Sequence, residues 1–235
     1  MDKLYIVIPA YNEEANIGSV IEDWYPIVER IGKGSKLVII DDGSKDDTYQ
    51  IMQKYAKDKE AFEPITKPNG GHGATVLYGY HYAINAGADY VFQTDSDGQT
   101  LPEEFWPFWE ERDKYAMVIG HRRGRQDGLS RVLVTKTLKL VLRLRFHVNI
   151  MDANTPFRLM EAKTLKEQIQ WIPKDFNLSN VLLSVIYAKK KLGVKYLPVT
   201  FRPRQGGVNS INMKKIFRIG KKAWGDFKKI NQYIK

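Results

Sequence analysis

The chain has no cysteine, which excludes disulfides and cysteine-ligated zinc and suits a reducing compartment such as the cytoplasm. No window reaches about 18 uncharged apolar residues, so no helix is expected to cross a bilayer. The opening MDKLYIVIPAYNEE lacks the charged, then apolar, then small-residue order of a secretory leader. There is no GK[ST] loop, and no GxGxxG follows the first apolar run, which disfavours P-loop and dinucleotide-binding folds. Histidine is scarce: His72, His81, His121 and His147 match no zinc spacing. His72 lies in a glycine-rich segment from which it can approach a sugar or diphosphate, and the other three read as surface or packing residues.

What is present begins with 235 residues, 43% hydrophobic and 12% aromatic, enough to bury one large core. The net charge of +10 conceals a split. Residues 1–120 hold 11 Lys and Arg against 21 Asp and Glu, whereas residues 121–235 hold 26 against 6. Such a division predicts an N-terminal half that meets a cation or a metal-bound ligand, and a C-terminal half that faces phosphates, nucleic acid or an anionic membrane. No nucleic-acid-binding motif occurs, and the basic residues follow amphipathic helical spacing, so nucleic acid is not expected as a partner.

Up to Gly120 the pattern alternates. KLYIVIP, SKLVIIDD, AFEPITK, DYVFQTD and YAMVIG read as strands; the segments between them carry helical apolar spacing. The expected fold is therefore α/β, a mostly parallel sheet flanked by helices. Beyond Gly120, helices are expected over 129–148, from about Glu161, up to about Leu192 and from about Asn212, with VKYLPV as a strand. The organisation predicted is one domain over 1–211, with a donor half at 1–120 and an acceptor half at 121–211, followed by a basic amphipathic helix at 212–235.

Polar clusters follow the strands: PAYNEE, DDGSKDD, KPNGGHGAT and TDSDGQ. In open α/β sheets ligands bind at that carboxyl edge. Asp95 and Asp97, at i and i+2 past a buried strand, offer the hard oxygens that Mg²⁺ or Mn²⁺ prefers, and Gln99 can add a neutral one. The bland alternative is an Asx turn capping the next helix. Asp41 and Asp42 end a strand where a carboxylate can accept from a base N–H or a ribose hydroxyl, while Ser44 or Asp46 can cap the helix that follows. Pro9, Tyr11 and Glu13 line the first strand-to-helix turn, and the GGHG segment, Gly71 included, frees backbone amides near a helix N-terminus. FWPFWEE reads as core packing.

IPAYNEE, DDGSKDDT, PNGGHGAT, TDSDGQ, Ser130–Arg131 and DANTPFR, taken in order and spacing, resemble the inverting glycosyltransferases of family 2, which have the GT-A fold. Within them the sequence is most similar to the dolichol-phosphate mannose synthase and bacterial polyprenyl-phosphate glycosyltransferase group, whose tail YLPVTFRPRQGGVNSIN echoes. The resemblance implies a nucleotide-sugar donor, UDP- or GDP-linked, held by Pro9, Tyr11, Glu13, Asp41, Asp42 and Gly71. It places Asp95, Ser96 and Asp97 at the diphosphate, with Asp95, Asp97 and Gln99 on the metal. Arg122, Arg131 and Arg204 then face the donor diphosphate and the acceptor phosphate.

Family members that glycosylate sugar hydroxyls usually place an acid near the start of the helix after the acceptor loop. Here that stretch reads IPKDFNLSN, with Asn180 at the expected position, Asp175 as the nearest substitute and Asp152 as a weaker one. A lipid phosphate would need no base, only cations, and Arg122, Arg123, Arg125, Arg131, Arg202 and Arg204 provide them. The acceptor expected is thus a polyprenyl phosphate, with a glycan hydroxyl as the alternative. Met213, Ile216, Phe217, Trp224, Phe227 and Ile234 fall on one helical face opposite Lys214, Arg218, Lys221, Lys222, Lys228 and Lys229, an interfacial pattern unless the apolar side packs on the domain. The expected location is cytoplasmic and peripheral on the inner face of a membrane, where an integral-membrane partner is a further candidate contact.

Overall fold

The computed structural model describes residues 2–122, 137–202, 224–227 and 231, and between 128 and 136 the backbone of one helix. Strands β1 (Leu4–Ala10) and β2 (Lys36–Asp41) are runs of β-branched and other apolar residues; every residue of β1 is buried, as is all of β2 beyond Lys36. Such continuous apolar runs suit strands covered on both faces. With β3 (Phe62–Thr66), β4 (Tyr90–Gln93), β5 (Met117–Arg122), β6 (Arg158–Glu161) and β7 (Val194–Val199), they form one sheet in the order β3-β2-β1-β4-β6-β5-β7. Every pairing is parallel except those of β6, which runs antiparallel to β4 and β5.

Alternation along each strand sends neighbours to opposite faces. Leu4, Ile6, Ile8, Leu37, Ile39 and Phe92 pack under α1 (Ile17–Ile31), α2 (Thr48–Ala56) and α4 (Phe105–Glu110). Val7, Val38, Ile40, Val91 and Ile119 pack under α3 (His72–Asn85), α5 (Gly128–Phe146), α6 (Ala162–Ile169) and α7 (Ser179–Lys189). Helix α1 exists because Ile17, Val20, Ile21, Trp24, Ile27 and Val28 make one buried stripe. The expected α/β class, mostly parallel and covered on both faces, is the class observed.

Two elements differ from the sequence reading. FWPFWEE is core packing, with Phe105 and Phe108 buried against Phe92 and Phe157. Yet the expected long helix is only a 3-10 turn at Pro102–Glu104 followed by the six residues of α4. Strand β6 was not anticipated at all; its four residues, RLME, begin with a fully buried arginine and are too few to show a period.

Candidate active site

Strands β1, β2, β4, β5 and β7 all point the same way, so the turns that follow them share one edge of the sheet. The polar clusters read from the sequence therefore meet in space. Hydrogen bonds lock them together. Ser96 Oγ donates to the Pro9 carbonyl at 2.9 Å, tying the β4 loop to β1. The amide of Gln99 donates to the Arg202 carbonyl at 2.9 Å, and the Arg202 N–H returns a bond to the Gln99 carbonyl at 2.8 Å, fastening the same loop to the segment after β7.

Asp95 and Asp97 sit half-buried on this loop. Asp97 Oδ1 accepts the Gln99 N–H at 3.1 Å, and Asp95 Oδ1 lies 3.1 Å from His72 Nε2 and accepts from Gln93 Nε2 at 3.2 Å. Desolvation lowers the His72 pKa only weakly, since its side chain is 52% exposed, and Asp95, Asp97 and Asp42 outweigh it, so the ring is held above its ordinary value. The Asx turn of the bland alternative is present at Asp97, but the helical turn that follows at Pro102 has no side-chain cap. The two acids bring hard oxygens to an open edge, a donor set that fits Mg²⁺ or Mn²⁺ completed by a ligand's own oxygens. Among the described residues no three His, Asp or Glu side chains converge as a self-sufficient metal cage.

The other expected contacts are more structural than the sequence suggested. Asp41 is buried, and accepts from Thr66 Oγ1 at 2.7 Å and from the Ser44 N–H at 3.1 Å, so its carboxylate shapes the turn. Asp42 is buried too and takes the Gly70 and Gly71 N–H groups at 2.8 Å each, together with Lys67. Desolvation pushes its carboxyl upward, yet Lys67, the Gly70 amide and Thr75 prevail and hold it below the usual carboxylate range. The glycine-rich segment is thus an anion site, as its amides imply, but the anion is the chain's own Asp42. Glu13 is buried with its carboxylate on Asn16 Nδ2 at 2.8 Å, while Tyr11 stands 41% exposed at the rim.

Arg122 ends β5 in a two-pronged pair with Asp152, 2.8 Å on each arm, and stacks on Phe201. The guanidinium expected at the diphosphate and the acid considered as a base therefore hold each other. Asp175 is exposed in the turn before α7. That turn abuts the start of α3: a Cβ at Gly73 would fall 2.2 Å from the Phe176 carbonyl. Asn180, at the place where an acid was sought, is 3% exposed, beneath the surface and 3.3 Å from Tyr80 Oη. Arg204, Arg123 and Arg125, and the side chains of Ser130 and Arg131, lie outside the described residues. Of the C-terminal helix, only 224–227 and 231 are described. At Phe227 the packing alternative holds: it is buried against Phe146 and Phe176. Sequence reasoning missed Lys67 and Gln93, whose only signal was a polar residue at the end of an apolar strand.

The family model described as glycosyl transferase family 2 matches residues 5–168. Undecaprenyl-phosphate 4-deoxy-4-formamido-L-arabinose transferase of Pectobacterium atrosepticum is 27% identical over 200 residues, 80% of this chain and 60% of that protein. The enzyme of the same name from Salmonella paratyphi B is 29% identical over 143 residues, 60% of this chain and 43% of the other. The chain thus spans well under two thirds of the length of these relatives. Glucosyl-3-phosphoglycerate synthase of Mycobacterium tuberculosis, solved with Mn²⁺ and UDP-glucose, superposes with a TM-score of 0.68 at 20% identity, over 98% of this chain and 79% of that one. Its complex with phosphoglyceric acid gives 0.68 at 19% identity, over 98% and 80%. Those two likenesses bear on the fold.

Proposed function

Because the chain belongs to glycosyl transferase family 2, we propose that it moves a sugar from a UDP- or GDP-sugar to a polyprenyl phosphate, with inversion at the anomeric carbon. Asp95 and Asp97 are the residues that would hold Mg²⁺ or Mn²⁺ against the donor diphosphate. When bound, such an ion offsets charge building on the departing nucleoside diphosphate. Tyr11, at the exposed rim, is placed to border the nucleoside. Pro9 and Ser96 keep the β1 and β4 loops together, and Asp41, Asp42, Glu13 and Gly71 shape the turns that a base and ribose would meet. Arg122, Arg131 and Arg204 are assigned to the diphosphate and acceptor phosphate.

The observation that carries the acceptor choice is Asn180. A hydroxyl acceptor needs a base, and the position where one is sought holds a neutral amide, buried and within reach of Tyr80. A lipid phosphate, with a second pKa of about 6 by analogy with phosphorylated side chains, is already an anionic nucleophile and requires none. The name of the Pectobacterium relative, an undecaprenyl-phosphate sugar transferase, supports the same acceptor class, and the Mn²⁺ and UDP-glucose in the mycobacterial structure support the donor and metal.

Membrane contact follows from that acceptor, at the inner face and without a spanning segment of its own among the described residues. Leu140 and Leu144, 57% and 61% exposed, lie one turn apart on α5 beside exposed Lys139 and Arg143, a pattern suited to an anionic interface. An integral-membrane partner would dock on the same side.

The test uses radiolabelled nucleotide-sugars with Mn²⁺, offered polyprenyl phosphate and a water-soluble oligosaccharide in parallel. Label confined to an organic-extractable product is expected. Equal labelling of the oligosaccharide, lost in Asp175→Asn, would favour the hydroxyl-acceptor reading instead. A thermal-shift panel of UDP-, GDP- and dTDP-sugars identifies the base without an acceptor.

A further inference from the structure

Beneath α3, the buried polar side chains of Gln93, Tyr80 and Asn180 form a line that ends at Asp95, with Arg158 behind it. Gln93 ends β4 fully buried, and its Nε2 donates to Asp95 Oδ1 at 3.2 Å. Tyr80, also fully buried, places its hydroxyl 3.3 Å from Gln93 Oε1 and 3.3 Å from Asn180 Oδ1. Behind Asn180 comes Arg158, fully buried, donating to the Asn180 carbonyl at 3.1 Å and to the Thr155 carbonyl at 3.1 Å. Each of these groups would cost free energy to bury unless its hydrogen bonds were made.

At its Asp95 end the chain has only one consistent direction. Gln93 gives its N–H to a carboxylate, which can only accept, so its Oε1 must accept from Tyr80. A tyrosine hydroxyl has a single hydrogen, for which Gln93 Oε1 and Asn180 Oδ1, each 3.3 Å away, are both acceptors. On the far side His72 Nε2 reaches the same oxygen, Oδ1, at 3.1 Å. Oδ1 is held from both directions, leaving Oδ2 as the oxygen that these contacts do not use.

We infer that Tyr80, Gln93 and Asn180 are positioning residues: a hydrogen-bonded chain through the core fixes the carboxylate of Asp95 and thereby sets the affinity of the site for a metal-bound nucleoside diphosphate. The inference rests on the donor site proposed above. The molecule carries its own control in Tyr187, another fully buried tyrosine, whose hydroxyl has no hydrogen-bond partner among the described residues.

The test is calorimetric titration of the full chain with UDP, and in parallel with GDP, each with and without Mn²⁺. Tyr80→Phe removes only the hydroxyl and should weaken the Mn²⁺-dependent dissociation constant about fivefold. Gln93→Met, which removes the bond to Asp95 itself at similar volume, should weaken it about tenfold or more. Tyr187→Phe should match the unaltered chain, and nucleotide binding without Mn²⁺ should be the same in all. Asp95→Asn should abolish the Mn²⁺ dependence. If the unaltered chain binds neither nucleotide in an Mn²⁺-dependent, Asp95-sensitive way, the donor site itself is wrong and this inference falls with it. If Asp95→Asn loses the dependence while Tyr80→Phe and Gln93→Met titrate normally, only the relay is overturned. A loss in Tyr187→Phe equal to that in Tyr80→Phe overturns it as well, since packing alone would then be responsible.

Discussion

Asp42 and Asp97 are carboxylates on neighbouring loops with opposite duties. Asp42 accepts two backbone N–H groups and pairs with Lys67 inside the fold, so its substitution should be felt first in stability. Asp42→Asn is expected to cost about 2 kcal/mol at neutral pH, the scale of hydrogen bonds to a buried charge. Its folded pKa lies below the ordinary 3.8, so that contribution is complete above 3.8 and fades as pH falls through the folded value. Denaturant unfolding at pH 7 and pH 3 should therefore show the gap between Asp42→Asn and the unaltered chain narrowing in acid; an equal gap at both would exclude the charge as its cause. Asp97 is half-buried on the open edge. Asp97→Asn should abolish Mn²⁺-dependent sugar transfer while shifting the melting temperature little, and retained transfer would remove Asp97 from the metal site.

Among elements, α3 does most to build the site, since its first turn carries His72 and its interior carries Tyr80. Both depend on close approach to the sheet. A Cβ on Gly79 would fall 2.2 Å from Val7 Cγ1 and 2.9 Å from Ile40 Cδ1. Replacing a mid-helix glycine by alanine usually stabilises by up to about 1 kcal/mol, but here the overpacking should reverse the sign. Gly79→Ala is expected to destabilise by about 2 kcal/mol, measured as a shift in denaturant midpoint without a change in slope. A stabilised variant would mean that the helix can lift from β1 without strain. The same helix shows what local pattern can and cannot reveal. Its span was legible from GGHGATVLYGYHYAINAG, whereas Gly71 as a donor to Asp42, rather than to a ligand, was not: residues 42 and 71 meet only because β1, β2 and β3 lie side by side.

At the scale of the whole molecule, the acidic rim belongs to the N-terminal half and the basic surplus to the C-terminal half. The exposed pair Leu140 and Leu144, next to Lys139 and Arg143, gives that basic half an apolar edge. Leu140→Glu with Leu144→Glu should reduce sedimentation with anionic liposomes several-fold, since two partly desolvated leucines and two repulsive charges are at stake. Circular dichroism should be unchanged, because both side chains face outward. Unaltered partitioning would assign the patch to a protein contact instead of lipid.

The sequence by itself determined the sheet, its mostly parallel sense, the helices on both faces and the edge where the polar loops gather, because periodicity and turn chemistry are local and each strand-helix unit repeats them. It also placed Asp95 and Asp97 at that edge. Only the tertiary structure decided which acids serve the fold and which face outward, that Arg122 and Asp152 grip each other, and that a polar chain runs from Asn180 to Asp95. The reason is physical: hydrogen bonds and ion pairs between residues 13 to 100 apart depend on strand order and on how closely helices approach the sheet, and neither is written in any short stretch of chain.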